Sequence, residues 1–533
     1  MKVSDVIIHC LENEGVKYVF GIIGKETLDL ADSLSKSNHI QFVHVRHEQG
    51  AAFMADVYGR LSNEVGVCLS TLGPGATNLL TGIANAQLEH SPLLALIGQA
   101  GMDRQHPESH QYLDLVKIFE PATKWTTQIM DAQTVHSNIR NAFQLAKMEK
   151  PGSVAIVLPE NLLSQQINSN PLPVQPLPES IPDSETLKAA HTLLQNSKKP
   201  FLLVGNGVIR QDAVFELQNF INKLQAPVTH SFMSKGILPK EHPANYFTFG
   251  FNENDMVVSG IEEADLLLTI GFDLVESPPK NWNKMKVPVL HMDSLPAKID
   301  EYYPVKIECI GSIKKILQYL NHLDPLAKLW SPSGHLRDKM MTEYKISTSD
   351  EKDTLFTIEH VLHSIENMMP EETIVISDVG AHKVSIARTF QPKKPGHLII
   401  SNGLASMGFA IPGSIGAKLA CSNAPVICIT GDGGALMNFA EIETARRLGL
   451  PFIIIVLSDS MLKLEVQQME KKYGESYGAT FQDPDFALLA ESFGIKGMKA
   501  RNLTEFEDIL RDSLQMLREI VLIEVVLQNG EQT

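Results

Sequence analysis

Along the chain, short runs of β-branched and aromatic residues alternate with longer stretches whose apolar positions recur every three to four residues. The runs are Tyr18–Phe20, Phe42–Val45, Val65–Ser70 and Leu93–Gly98 in the first third, and Phe201–Gly205, Ala226–Ser231, Leu266–Gly271 and Val287–Met292 in the middle. The last third carries Thr373–Ser377, Leu398–Ser401, Pro425–Thr430, Pro451–Leu457 and Val521–Val526. Strands that show no polar alternation are covered on both faces, and helices between them make them parallel. The pattern predicts an α/β chain of three doubly wound parallel-sheet domains. Two polar stretches mark the divisions. Residues 165–185 carry Pro171, Pro173, Pro176, Pro178 and Pro182, a composition that favours an extended connector. Residues 325–353, around SPSGH and ISTSDEKD, precede a new periodic segment. The predicted domains are therefore 1–165, 186–328 and 354–533, and similar architecture recurs at domain scale with no short-period repeat.

Composition narrows what such a chain can do. Its 533 residues are 44% hydrophobic and 20% charged, ordinary globular values that exclude a disordered or low-complexity chain. A formal net charge of −16 argues against a broad surface for nucleic acid or anionic membrane, yet leaves room for a locally positive site. The five cysteines, Cys10, Cys68, Cys309, Cys421 and Cys428, are scattered without a CxxC pair, which fits a reducing compartment better than a disulfide framework. The N-terminal MKVSDVIIHCLENEG lacks the apolar core of a secretory signal, and runs such as Phe452–Leu457 are far too short to span a membrane. A soluble cytoplasmic protein is expected.

In open parallel sheets, ligands bind beyond the carboxyl ends of strands. The strongest such junction is Val426–Thr430 followed by Gly431-Asp432-Gly433-Gly434, with a helix expected from about Phe439. The next strand, Phe452–Leu457, ends in Ser458-Asp459. With these strand ends side by side, Asp432 and Asp459 could share a divalent cation while glycine amides and a helix N-terminus receive a diphosphate. Two acidic turns after neighbouring strands would read the same on spacing alone. A second junction, Arg46-His47-Glu48-Gln49-Gly50, puts Glu48 at a helix N-terminus, where an acid can simply face the dipole. A third, Ser70-Thr71-Leu72-Gly73-Pro74-Gly75-Ala76-Thr77-Asn78, is a generic glycine turn. Gly205-Asn206-Gly207 and Gly271-Phe272-Asp273 in the middle third lack a third glycine and read as structural turns.

Together, RHEQGAAFMADVYGR at 46–60, GPGATNLLTGIANA at 73–86, SNGLASMGFAIPGSIGAK at 401–418 and GDGG…SD at 431–459 resemble the thiamine-diphosphate enzyme superfamily in its acetolactate synthase-like branch. The resemblance covers essentially the whole chain. It implies a pyrimidine-binding domain, a central domain and a diphosphate-binding domain, in that order. It makes Glu48 the carboxylate that activates the cofactor's aminopyrimidine, so that the cofactor itself carries the hard chemistry. Thr71, Pro74 and Asn78 then line the pyrimidine pocket, Gln111 lies by the reacting centre, Met407 props the cofactor's bent shape, and His382, Gly433 and Gly434 also contact the cofactor. Asp432, Asp459 and the carbonyl of Met461 are the implied Mg²⁺ ligands. Asp459 stands where the superfamily usually has Asn, and the loop Met461-Leu462-Lys463-Leu464 departs from the usual pattern.

Within the branch, Ser109-His110-Gln111-Tyr112-Leu113-Asp114 and Glu470-Lys471-Lys472-Tyr473 are similar to catabolic, FAD-independent enzymes, while Asp378-Val379-Gly380-Ala381-His382 leans to the anabolic, FAD-binding ones. The balance favours an FAD-independent enzyme that condenses two pyruvates to 2-acetolactate and CO₂. Another 2-oxo acid decarboxylase or acyltransferase, and an FAD-binding biosynthetic catalytic subunit, are the alternatives. The resemblance also implies active sites shared between subunits of a homodimer or homotetramer, with a small 2-oxo acid as substrate and neither nucleic acid nor membrane as partner.

Overall fold

The computed structural model describes all residues except 169, 252–254, 274–277, 324–325, 347–355, 517 and 528–533. Its contacts divide the chain into two units. The first contains Met1–Leu177, Ile374–Ala381 and Gly403–Asn529; the second contains Pro178–Thr373 and His382–Asn402.

The first sheet comprises β1 (Tyr18–Gly21), β2 (Gln41–His44), β3 (Gly66–Ser70), β4 (Leu93–Gln99), β5 (Trp125–Gln128) and β6 (Ser153–Pro159), in the order β2-β1-β3-β4-β6-β5. The second, in the second unit, comprises β7 (Pro200–Val204), β8 (Val228–His230), β9 (Asn245–Thr248), β10 (Leu266–Ile270), β11 (Val289–Asp293) and β12 (Val305–Ile310), in the order β12-β11-β10-β7-β8-β9. The third has five strands in the first unit, β13 (Ile374–Ser377), β15 (Val426–Gly431), β16 (Ile453–Ser458), β17 (Lys496–Ala500) and β18 (Val521–Val526), while the short β14 (Leu398–Ile400) belongs to the second unit. Its strands in the first unit run β13-β15-β16-β18-β17. Pairing is parallel, with Val19 opposite both Phe42 and Val67, and Ile427 opposite Ile453. Central strands such as β3, β4, β15 and β16 are almost wholly buried, as their unbroken apolar sequences require.

The predicted strands are all present, with ends shifted by one or two residues. The pattern did not single out β5, β6, β9, β12 and β17. Of these, β5, β9, β12 and β17 are sheet edges. Open on one side, β5, β12 and β17 tolerate polar residues, as in TTQ, KIE and KGMK, and are only partly buried. Residues 325–353 are likewise not wholly a connector, since Leu336–Ile346 is helical. Leu336 and Met340, four residues apart, bury one face of that helix in the cluster around Phe201; residues 347–353 lie outside the described residues. By contrast, the described residues of 165–183 contain no helix or strand beyond a single bridge from Gln166 to Lys2.

Two helices set the geometry of the first unit. α1 (Glu48–Ser62) follows β2, and α2 (Pro74–Leu88) follows β3. α1 packs on α2 through Gly82, whose added Cβ would meet the Ala52 methyl at 2.4 Å. Its other side packs on α3 (Ala410–Ala420), where a Cβ at Gly416 would stand 2.3 Å from the Met54 carbonyl oxygen. Phe53 and Phe409 meet edge to face at 5.4 Å, and the Arg60 guanidinium lies 5.6 Å from the Phe409 ring. Arg60 also pairs with buried Asp56 at 2.7 Å and with Glu89 at 3.4 Å. Losing one partner would strand a buried charge, so this cluster fixes how α1 lies.

In the second unit, the Gly205-Asn206-Gly207 turn packs against Gly271, since a Cβ at Gly205 would fall 2.2 Å from the Gly271 carbonyl oxygen. Close loop packing accounts for these glycines without a ligand.

Gly416→Ala should lower stability by about 1–3 kcal/mol, because its methyl collides with backbone and not with a movable side chain. Urea melts of the two proteins measure this, and an unchanged midpoint would contradict the α1–α3 contact.

Candidate functional site

Two groups of predicted site residues form at strand ends of the first unit. The first surrounds the start of α1. Glu48 is its first residue and is buried, with His47 as N-cap. The Glu48 Oε2 accepts a hydrogen bond from the Asn78 amide at 2.9 Å. Its Oε1 stands over Gly75, where a side chain would come within 3.2 Å, so glycine keeps that oxygen open. Thr71 donates to Glu26 at 2.8 Å. Gly73, at φ +58°, lets the chain turn sharply into Pro74 at the head of α2, and the exposed Gln111 lies over it. The structure thus brings Glu48, Thr71, Pro74, Asn78 and Gln111 around one turn.

The second group lies at the ends of β15 and β16. Its helix, α4 (Asp432–Asn438), begins at Asp432 itself and not near Phe439 as the sequence suggested; α5 (Glu441–Arg447) follows. The two glycines that discouraged an early helix start are needed for space. A Cβ at Gly433 would lie 3.2 Å from the Met407 methyl, and one at Gly434 would lie 3.0 Å from the Asp378 carboxyl carbon. Asp432 accepts N–H groups from Gly433 at 2.6 Å, Asp459 at 2.8 Å and Ser460 at 2.7 Å. Burial above all, and then the neighbouring Asp483 charge, push its carboxyl up to about 7. Burial likewise raises Asp459, opposed by Lys463, whose ammonium lies 3.2 Å away. Met461 bridges to Thr480, and the Leu462 N–H donates to the Ala479 carbonyl, which fixes the backbone after Asp459.

This oxygen-only set suits a hard divalent cation. Among the described residues no three His, Cys, Asp or Glu side chains gather into a ready-made metal cage. A cation here would take two carboxylates and a backbone carbonyl from the protein and the rest from a ligand. The amides of Gly433 and Gly434 at the head of α4 suit the diphosphate of that ligand. His382 belongs to the second unit, where it is buried as the second residue of the helix Ala381–Thr389.

Two residues that support these groups were given no site role from the sequence. Asp378, fully buried after β13, accepts from the backbone of Val379, Gly408 and Ala410 and from the Thr430 hydroxyl, and so anchors the Met407 turn. Burial pushes it up to about 6. Glu441, at the head of α5, accepts from the N–H groups of Arg46 at 3.0 Å and His47 at 2.9 Å, directly before Glu48. Both are isolated acids in the sequence, and only the fold brings them their donors.

The fold agrees with comparisons to known proteins. Residues 1–133 match the thiamine pyrophosphate enzyme N-terminal TPP binding domain, 187–320 the central domain, and 378–525 the C-terminal TPP binding domain. The chain belongs to the thiamine pyrophosphate enzyme family. It is 30% identical to an acetolactate synthase of Bacillus subtilis (strain 168), over 97% of this chain and 92% of that one. It is 32% identical to a probable acetolactate synthase large subunit of Methanocaldococcus jannaschii, over 100% of this chain and 93% of that one. Against the acetolactate synthase isozyme 3 large subunit of Escherichia coli (strain K12) it is 29% identical, over 99% of this chain and 95% of the other.

With Asp432 raised to about 7, protons compete with a cation for its oxygens. Divalent-cation affinity should fall about tenfold per pH unit below 7 and level off above it, as a Mg²⁺ titration at pH 6, 7 and 8 would show. Equal affinity at pH 6 and 8 would contradict the assignment.

Proposed function

We propose that the chain is an acetolactate synthase that uses thiamine diphosphate with Mg²⁺ to condense two pyruvates into 2-acetolactate and CO₂. What carries this reading is the presence in one chain of a buried helix-start carboxylate, Glu48, and the oxygen pair Asp432 and Asp459 behind a glycine turn. Relatives of that name align over nearly all of the chain. Another thiamine-diphosphate-dependent 2-oxo acid decarboxylase is the alternative that product analysis separates.

Thiamine diphosphate, when bound, would supply the nucleophilic carbon and the electron sink that decarboxylation of a 2-oxo acid needs. The rest falls to the protein. Asp432, Asp459 and the Met461 carbonyl hold Mg²⁺, and the Gly433 and Gly434 amides receive the diphosphate. Met407, beside Gly433, offers an apolar prop to the cofactor's middle. Thr71, Pro74 and Asn78 shape the pocket of the aminopyrimidine, whose ring proton Glu48 holds through the oxygen left open over Gly75. Gln111, at the exposed rim, would contact the substrate.

The working enzyme is at least a homodimer, with Glu48 of one copy facing Asp432 of the other. In the single chain Leu436 and Met437 of α4 are 43% and 57% exposed, and Ile23 and Leu28, on the Thr71 side, are 37% and 59% exposed. Apolar side chains at both half-sites suit burial by a second copy. The Ser109–Asp114 and Glu470–Tyr473 segments support an enzyme that needs no FAD. All five cysteines are free thiols, which supports a reducing, cytoplasmic setting. Among the described residues no helix is long and apolar enough to cross a membrane. We read the domains as 1–165, 186–328 and 354–533, for the pyrimidine, the central and the diphosphate functions.

Incubation with pyruvate, thiamine diphosphate and Mg²⁺ tests the assignment. Acetolactate, turning to acetoin on acidification, is expected, and acetaldehyde alone would overturn it. Glu48→Gln should melt like the wild type yet lose about 10²–10⁴-fold in turnover, and near-wild-type activity would remove Glu48 from the chemistry.

A further inference from the structure

Asp483 lies behind the cation turn and belongs to none of the motifs above. Its Oδ2 accepts the hydroxyls of Ser458 at 2.9 Å and Ser460 at 3.0 Å, the residues on either side of Asp459. The Phe481 N–H donates to the Ser460 carbonyl, so the two segments are also laced through the backbone. Ser460 holds φ at +58°, a strained value for serine that its hydroxyl bond helps to fix. The other carboxylate oxygen, Oδ1, is buried and accepts a hydrogen bond from no described donor. The carboxylate also stands within side-chain hydrogen-bond reach of Asp432.

Two carboxylates in contact, one with a buried oxygen that accepts no described hydrogen bond, repel each other unless a proton or a cation is placed between them. The charged side chains at the turn are Asp432, Asp459, Asp483 and Lys463, and Lys463 is engaged with Asp459. That leaves the contact between Asp432 and Asp483 without a cationic side chain of its own.

We propose that Asp483 is a positioning residue that couples the order of the Ser458–Met461 turn to divalent-cation binding: one oxygen clamps the two serines, and the negative charge behind Asp432 makes the cation-free site unfavourable. The inference rests on the reading of Asp432 and Asp459 as Mg²⁺ ligands. Asp483 does not itself ligate the cation. It raises the gain on binding by crowding negative charge in the empty state and by holding the turn that presents Asp459 and the Met461 carbonyl.

Full-length wild type and Asp483→Asn, saturated with thiamine diphosphate, are melted across a Mg²⁺ series that begins in chelator. Asn keeps an oxygen for the serines, removes the charge and brings an amide that can donate to Asp432. Without Mg²⁺ the variant should melt about 2–4 °C above the wild type. Its half-saturating Mg²⁺ should rise about tenfold, the usual size of an effect from groups behind a ligand. Removing both serine hydroxyls (Ser458→Ala with Ser460→Ala) should also raise half-saturation without stabilising the chelated protein, which keeps the test open should Asp483→Asn fold poorly. An unchanged half-saturation in both variants, with a wild-type response that Asp432→Asn abolishes, overturns the role of Asp483 alone. A wild type indifferent to Mg²⁺ overturns the cation site and this inference with it.

Discussion

A single buried carboxylate ties the carboxyl end of the third sheet together. Asp432 takes N–H groups from its own helix start and from the turn after the neighbouring strand, so β15 and β16 end in one hydrogen-bonded unit. Glycines at 433 and 434 are required because Met407 and Asp378 occupy the space where side chains would go. Asp378 in turn anchors the Met407 turn through three backbone amides and the Thr430 hydroxyl. These acids sit where backbone donors converge, and burial raises both, so the folded protein stores a preference for positive charge at Asp432.

The start of α1 is built on the same principle. Glu441 accepts the amides of Arg46 and His47, satisfying N–H groups that precede the first turn and fixing the backbone from which Glu48 projects. Because Glu441 begins α5, soon after Asp432 begins α4, the segment that carries Asp432 also steadies the backbone before Glu48 of its own chain. The packing of α1 on α3 and the buried Arg60 cluster hold that arrangement at its far end.

Much of this could be read in the sequence, for identifiable reasons. Strands covered on both faces have no polar interruptions, so β3, β4, β15 and β16 announced themselves, and the acids Asp432 and Asp459 at the ends of β15 and β16 followed. Edge strands such as β12, with its alternating burial, carry too few apolar residues to stand out. The helix over Leu336–Ile346 was hidden because, among its described side chains, only Leu336 and Met340 are buried apolar positions. The start of α4 was misplaced because Gly433 and Gly434 lower helix propensity, while the structure needs them for clearance. Asp378, Glu441 and Asp483 were invisible as functional residues because their partners lie far away in sequence and meet them only in the fold.

The central claim is that the Glu48 group and the Asp432 group are two halves of one site, completed by a second copy of the chain. Mixing two inactive variants tests it most directly. Glu48→Gln and Asp432→Asn chains are dissociated together, reassembled in equal amounts and assayed with pyruvate. If the halves come from different chains, half of the random dimers are mixed and each has one intact site, so roughly a quarter of wild-type activity returns. If both halves of a site lie in one chain, every site carries a defect; activity no higher than that of the separate variants would contradict the account.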